Sequence, residues 1–222
     1  MCGRYNLYAT SAEIQAFFDL FRDEDLIWPA RYNIAPTQSV LAVRQTDSHR
    51  IAVPMRWGLI PFWASDTKLA ASMINARAET LAEKPAFRAA FQRRRCLIPA
   101  TGFYEWKKGS GKSKQPFHIY RQDHRILAFA GLWERWEKGT QPVESCTIIT
   151  TSANELMQPL HDRMPVILPS SLWAAWLDPD VPASAVSNFL VPCAADDLQA
   201  VPISSLVNHV KNETIECLRP QP

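Results

Sequence analysis

The sequence lacks most of the signatures that announce a function directly. It has no CxxC pair, and its five cysteines, Cys2, Cys96, Cys146, Cys193 and Cys217, are odd in number and widely spaced. That pattern speaks against a disulfide framework and offers no zinc-ligand spacing, so a reducing compartment is expected. Apolar runs such as ILAFAGLW stop well short of a bilayer span, and the first residues lack the charged-then-apolar layout of a secretory signal. An intracellular, cytoplasmic protein with no membrane partner is therefore expected. HExxH, GxSxG and GxGxxG are absent, which removes the common routes to a zinc peptidase, an α/β-hydrolase or a dinucleotide enzyme. GSGKS imitates a phosphate-binding loop, but the glycine that motif requires five residues before Gly111 is Trp106. No metal and no organic cofactor is indicated. Glycine is scarce, 7 residues against 17 prolines, and no internal repeat or low-complexity linker interrupts the chain.

What is present fits one globular domain over residues 1–222. The chain is 47% hydrophobic and 21% charged, enough to bury a substantial core. A net charge of only +2 permits a polyanionic partner but confines its site to a local patch. Thr10 and Glu13 form a capping box, followed at helical spacing by Ile14, Phe17, Phe18 and Phe21, which predicts a first helix after a short N-terminal strand. Val40 to Arg44 and the stretch HRIAVPMRW read as strands, and Pro85 opens a short helix carrying Phe87 and Phe91. RRRCLIPATGFYEW reads as two extended pieces hinged at Pro99 and Gly102, followed by a polar loop over GSGKSKQ. PFHIYRQDHRILAFAGLWERW reads as a hairpin turning near Gln122 to His124. After the strand SCTIITT, a second capping box of Ser152 and Glu155 leads to a loop holding His161. SLWAAWL and SAVSNFL are predicted helices and LQAVPIS a late strand. Without a regular βαβ rhythm, the expected class is α+β, a strongly bent, barrel-like, mainly antiparallel sheet with peripheral short helices.

The chain opens MCGRYNLY. Removal of Met1 would leave Cys2 as the terminus, with a free α-amine and a thiol on neighbouring carbons. This 1,2-aminothiol is available at no internal position, where every backbone nitrogen is an amide. A cysteine here can equally be a small apolar residue, so position alone decides nothing. NARAET, GFYEW and LHDRMP each set amide or ionisable groups beside apolar strands, where they can converge on one cleft.

MCGRY, RYNIAPTQ, RWGLIP, NARAET, RRRCLIPATGFYEWKK, FAGLW, ITTSANELMQPLHDRMPVIL and VNHVKN, in this order and spacing, resemble the SOS-response-associated peptidase (SRAP) family of abasic-site-processing proteins. The resemblance implies a protein of the DNA damage response that senses abasic sites in single-stranded DNA and links to them covalently through Cys2. It also implies that Asn75, Glu105 and His161 support that nucleophile. On chemical grounds the Cys2 amine would attack the ring-opened aldehyde to give an imine, and the thiol would close a thiazolidine upon it. Glu105 suits proton transfer if burial raises its pKa, His161 titrates near neutrality, and Asn75 can orient without titrating.

Arg4, Arg77 and Arg163 flank these motifs as candidate phosphate clamps, or as partners of structural carboxylates. Trp106 and Trp63 are candidates for stacking on an unpaired base, or else core. Two other readings stay open: an N-terminal-nucleophile cysteine peptidase limited to removing its own Met1, and a non-covalent single-stranded DNA-binding module with an incidental Cys2. A monomer is the default.

Overall fold

The computed structural model describes residues 2–21, 27–108 and 114–221. The centre of the polar loop expected over GSGKSKQ lies outside them, as does Met1. Twelve strands occur in chain order: β1 (Tyr5–Leu7), β2 (Arg31–Ile34), β3 (Ser39–Gln45), β4 (Arg50–Trp57), β5 (Asn75–Arg77), β6 (Arg95–Ala100), β7 (Gly102–Lys108), β8 (Lys114–Arg121), β9 (Leu127–Trp136), β10 (Val143–Ser152), β11 (Arg163–Pro165) and β12 (Leu198–Pro202). They form two sheets.

The first sheet closes on itself. Strands run β10-β4-β3-β6-β9 and return from β9 to β10, with β5 and β11 added beside β10. All ring pairings are antiparallel except β4 with β10, where Ser145 faces Arg56 and Cys146 faces Trp57 in parallel register. Closure removes the edges that would otherwise invite aggregation. Pro54 is tolerated in β4 because the β10 pairing begins only at Arg56. The second sheet is open, in the order β12-β8-β7-β1-β2. The α+β, barrel-like class read from the sequence is the observed one.

Side-chain alternation explains how the sheets pack. Tyr5 on β1 and Phe103 on β7 point at the barrel, where Tyr5 meets Trp57 (ring centroids 5.3 Å) and Phe129 (6.0 Å) edge-on, and Phe103 meets Phe129 at 5.9 Å. Each such pair adds about 0.5–1.5 kcal/mol beyond its buried area. One continuous buried cluster thus spans both sheets. Asn6 and Tyr104, one residue further along, point to the opposite face, where Asn6 Nδ2 donates to Tyr104 Oη at 2.8 Å.

Helices are short and peripheral. Helix α1 (Ser11–Phe18) begins with the expected capping box, Thr10 accepting from the Glu13 N–H and Glu13 from the Thr10 N–H. It ends sooner than the Phe spacing implied, because Asp19 turns left-handed at φ 50°. Phe21 therefore falls beyond the helix, exposed against the His49 ring. Helix α2 (Arg88–Arg93) buries Phe91, and α3 (Trp173–Leu177) and α4 (Ala183–Val186) occupy the two predicted tail positions. No helix among the described residues is long and apolar enough to cross a membrane.

Three local expectations are corrected. The segments around Gln122 to His124 do turn, but they form no hairpin: β8 pairs with β7 and β12, whereas β9 pairs with β6 and β10. The chain crosses between sheets there, which alternation alone cannot reveal. Ser152 and Glu155 make no capping box; Asn154 Oδ1 accepts from the Met157 N–H at 3.0 Å instead, and only a single turn follows. Pro99 is no hinge, since it lies inside β6 opposite Ala128, and the break falls at Thr101. Gly102 then opens β7 so close to the His118 ring that a Cβ there would sit 2.2 Å from Nε2.

Candidate active site

The N-terminal stretch is held down by backbone pairing. The Tyr104 N–H donates to the Arg4 carbonyl at 3.0 Å, continuing the β1–β7 ladder outward from Tyr5↔Phe103. Cys2 lies just before, with 0% exposure. Asn75, first residue of β5, is set beside Ile148 of β10 by parallel pairing, and its Nδ2 donates to the Cys2 carbonyl at 2.9 Å. Asn75 Oδ1 is buried and accepts no hydrogen bond among the described residues. An unmet acceptor of this kind costs about 1–3 kcal/mol, and it stands ready for an amine or hydroxyl donor.

Glu105 comes from the other sheet. It sits two residues beyond Phe103 on β7 and so shares the face turned to the barrel, where it is 4% exposed. Burial pushes its carboxyl up from 4.5 to about 7, against the opposing pull of the chain's terminal amine, and the Asp162 carboxylate adds to the rise. Cys2 responds to the same surroundings. Burial drives its thiol well above the ordinary range, and the charge of Glu105 pushes it further, while the terminal amine and the Arg4 backbone N–H favour the thiolate.

His161 lies in the loop joining β10 to β11, half-buried, beside the Asp162 that Glu105 feels. Its Nδ1 faces both the Arg163 N–H at 3.0 Å and Asp162 Oδ1 at 2.7 Å. A neutral ring cannot satisfy both through one nitrogen. The Asp162 side chain is 85% exposed and hydrated, so the fixed backbone donor governs the neutral tautomer, with the proton on Nε2; protonation of the ring would favour Asp162.

The chain thus brings Cys2, Asn75 and Glu105 together, with the 161–162 loop close by. The flanking candidates divide. Arg163 is bound to Glu79 through two hydrogen bonds, of 2.7 and 2.9 Å, and to the Thr150 carbonyl at 2.7 Å, the carboxylate partnership that was one of its two readings. Arg77, closing β5, is exposed and makes no side-chain hydrogen bond among the described residues. Trp106 lies on the face of β7 opposite Glu105, against Ile203 and Val207, with Nε1 donating to Asn208 Oδ1 at 2.7 Å and the Arg4 guanidinium 5.7 Å from its ring. Trp63 is 43% exposed beside Phe62 at 51%. Two neighbours of these residues had escaped the sequence reading: Phe62 beside Trp63, and the Asp162 that acts on Glu105. Each lay within or beside a quoted motif, which was the available signal. Among the described residues no cluster of three or more His, Cys, Asp or Glu could hold a metal ion.

Comparison with known proteins agrees with this architecture. The family model described as SOS response associated peptidase (SRAP) matches residues 1–210. The chain is 45% identical over 222 residues to the abasic site processing protein YoaM of Bacillus subtilis, covering 98% of this chain and 97% of that one. It is 31% identical over 227 residues to the abasic site processing protein YedK of Escherichia coli, covering 99% and 100%. A crystal structure of a protein from Bacteroides thetaiotaomicron superposes with a TM-score of 0.89 at 28% identity, covering 99% of this chain and 100% of that one. The chain belongs to the SRAP family.

Proposed function

We propose that this protein processes abasic sites in DNA by capturing them covalently on Cys2, once Met1 has been removed. The observation that carries the reading is the pairing of a fully buried Cys2, tethered by Asn75, with a Glu105 carboxyl at about 7. An α-amine ordinarily titrates at about 7.8. A carboxyl raised by burial toward that range can exchange a proton with the amine, so the free amine needed for attack is available near neutral pH.

The environment also sets the order of events. A thiol pushed upward by burial is neutral at pH 7, so the amine attacks first. It adds to the ring-opened aldehyde to give a carbinolamine, and the Glu105 carboxylic acid protonates the departing hydroxyl, releasing water and leaving the protonated imine beside an ionised Glu105. Sulfur then bonds to the iminium carbon as the C=N π electrons return to nitrogen, and the ionised Glu105 takes the thiol proton, which restores its acid form. Net loss is one water, with no change of oxidation state. Ring closure matters because an open imine hydrolyses readily.

The same thiol bears on the peptidase reading. A hydrolytic cysteine depends on a lowered pKa beside a cation, whereas burial and a neighbouring carboxylate act on Cys2 in the opposite sense. Aldehyde capture is the better match. Arg77 and Arg4 are the proposed phosphate contacts, with the exposed Trp63 and Phe62 available for stacking on single-stranded bases; Arg163 reaches a phosphate only by releasing Glu79.

The test is to incubate the protein with a single-stranded oligonucleotide bearing one abasic site, denature, and determine the mass. A gain equal to the oligonucleotide less one water, absent in Cys2→Ser, is expected. An unchanged mass would end the reading, and binding that disappears in high salt would leave only a non-covalent module.

A further inference from the structure

The VNHVKN segment, quoted in the sequence without an assigned task, folds onto β2 through one side chain. Asn33 is fully buried and extends its Nδ2 toward three carbonyls, Val207 at 3.2 Å, His209 at 3.0 Å and Asn212 at 2.8 Å. Its Oδ1 accepts from Arg4 Nη1 at 2.7 Å, and the same Nη1 also donates to the Val207 carbonyl at 2.8 Å. Glu213 then fixes Asn33 from the backbone side: its Oε1 accepts from the Tyr32 N–H at 2.6 Å and the Asn33 N–H at 2.8 Å, while Oε2 accepts from Arg31 at 3.0 Å.

This arrangement reaches the nucleophile. Arg4 stands two residues from Cys2, and its backbone N–H favours the Cys2 thiolate. Its guanidinium has one nitrogen clamped, whereas among the described residues neither Nη2 nor the buried Nε makes a hydrogen bond. Nε and Nη2 together form the edge that grips a phosphate in two-pronged fashion. Clamping Nη1 fixes where that edge points. The clamp needs an amide: an aspartate at 33 would turn a carboxylate toward three carbonyls, and an aliphatic side chain would leave both the carbonyls and Arg4 unmet.

We propose that Asn33 is a positioning residue of this site, coupling the 207–213 segment to Arg4 so that the guanidinium, beside the Trp106 ring, is aimed at a DNA phosphate. The proposal rests on the covalent-capture reading for its rate measurement and on DNA binding alone for its second measurement. A displacement of about 1 Å at a reacting group lowers rates by about a hundredfold, so Asn33→Ala should slow adduct formation at saturating oligonucleotide by roughly tenfold to a hundredfold.

The experiment is a double-mutant cycle in single-turnover adduct formation, using Asn33→Ala, Arg4→Ala and the pair, at a temperature where melting shows each protein folded. If Asn33 acts through Arg4, the pair reacts as slowly as Arg4→Ala alone. A wild-type rate in Asn33→Ala overturns the proposal, and so do losses that multiply in the pair, the mark of general loosening. Should Asn33→Ala not fold, Arg4→Lys replaces it. A single ammonium cannot hold Asn33 Oδ1 and the Val207 carbonyl while presenting a second edge, so a comparable loss is expected and a wild-type rate contradicts it. If the wild-type protein forms no adduct, capture fails separately. The salt dependence of binding to the same oligonucleotide then decides, its slope falling by about 0.7 in Asn33→Ala if one phosphate contact is lost, and staying unchanged if Asn33 does not aim Arg4.

Discussion

The closed barrel and the open sheet divide the work of the molecule. In the barrel, the most buried charges are engaged, although Arg56 Nε and Arg94 Nε find no partner among the described residues: the Arg95 guanidinium is surrounded by carbonyls of Trp176, Phe91, Gln92, Asp178 and Val181, and Glu134 accepts from Arg94 and from the Arg135 N–H. At the junction with the open sheet, Asn75 Oδ1 and Arg4 Nε remain unmatched among the described residues, and Glu105 is buried with its carboxyl raised to about 7. A carboxyl raised by burial beside an unmatched acceptor marks where a reaction partner completes the set. The barrel supplies stability, and the open sheet carries Glu105 up to Cys2, which Asn75 of β5 tethers.

That contrast breaks most sharply at Cys2. Cys2→Ser should abolish adduct formation while leaving melting close to wild type; a surviving denaturant-resistant adduct would move the nucleophile elsewhere. Phe129→Ala, where both sheets meet, should cost about 3–5 kcal/mol of stability by chemical denaturation, with the folded fraction reacting normally. An equal loss of rate in that folded fraction would show that scaffold and site are not separable. Glu105→Gln should do the reverse, slowing adduct formation by about a hundredfold with DNA affinity nearly unchanged. A collapse of affinity would make Glu105 a binding residue.

Glu105 also predicts a pH signature. Its folded-state carboxyl at about 7 lies above the ordinary 4.5, so the native state holds a proton that the unfolded chain has lost. Stability is therefore greatest near and below pH 4.5 as far as this group is concerned, and declines as pH rises toward 7, by up to about 3 kcal/mol. Glu105→Gln should flatten that decline in denaturation midpoints measured across this range. An unaltered slope would place the titration on another group. Smaller still, Trp106→Ala should weaken lesion-strand binding by about 1–3 kcal/mol if the ring stacks on a base. Since Trp106 packs on the face away from Glu105, an unchanged affinity together with lower stability would return it to the tail-side cluster.

What was legible in the sequence follows the reach of each interaction. The Thr10–Glu13 box is complete within four residues and was readable directly. The β8–β9 hairpin was misread because alternation reports that a strand is half-buried and says nothing about its partner. Ser152 and Glu155 had capping spacing, yet Asn154, one turn residue away, took the cap. Asn33 and Glu213 were invisible as a unit, since 180 residues separate them and neither carries chemistry alone. The resemblance of the motifs to a known family supplied the Cys2, Asn75, Glu105 and His161 set. Composition and periodicity supplied the fold class, and only the fold showed which face of β7 each side chain occupies.

The central claim is that nitrogen and sulfur of Cys2 both bond to one sugar carbon, and the mass of the N-terminal peptide released from the adduct tests it most directly. The account predicts a peptide–sugar product one water lighter than its components, unaltered by borohydride and absent when the Cys2 amine is chemically blocked with the thiol intact. A product of equal yield from amine-blocked protein, or one that borohydride reduces completely, would contradict it.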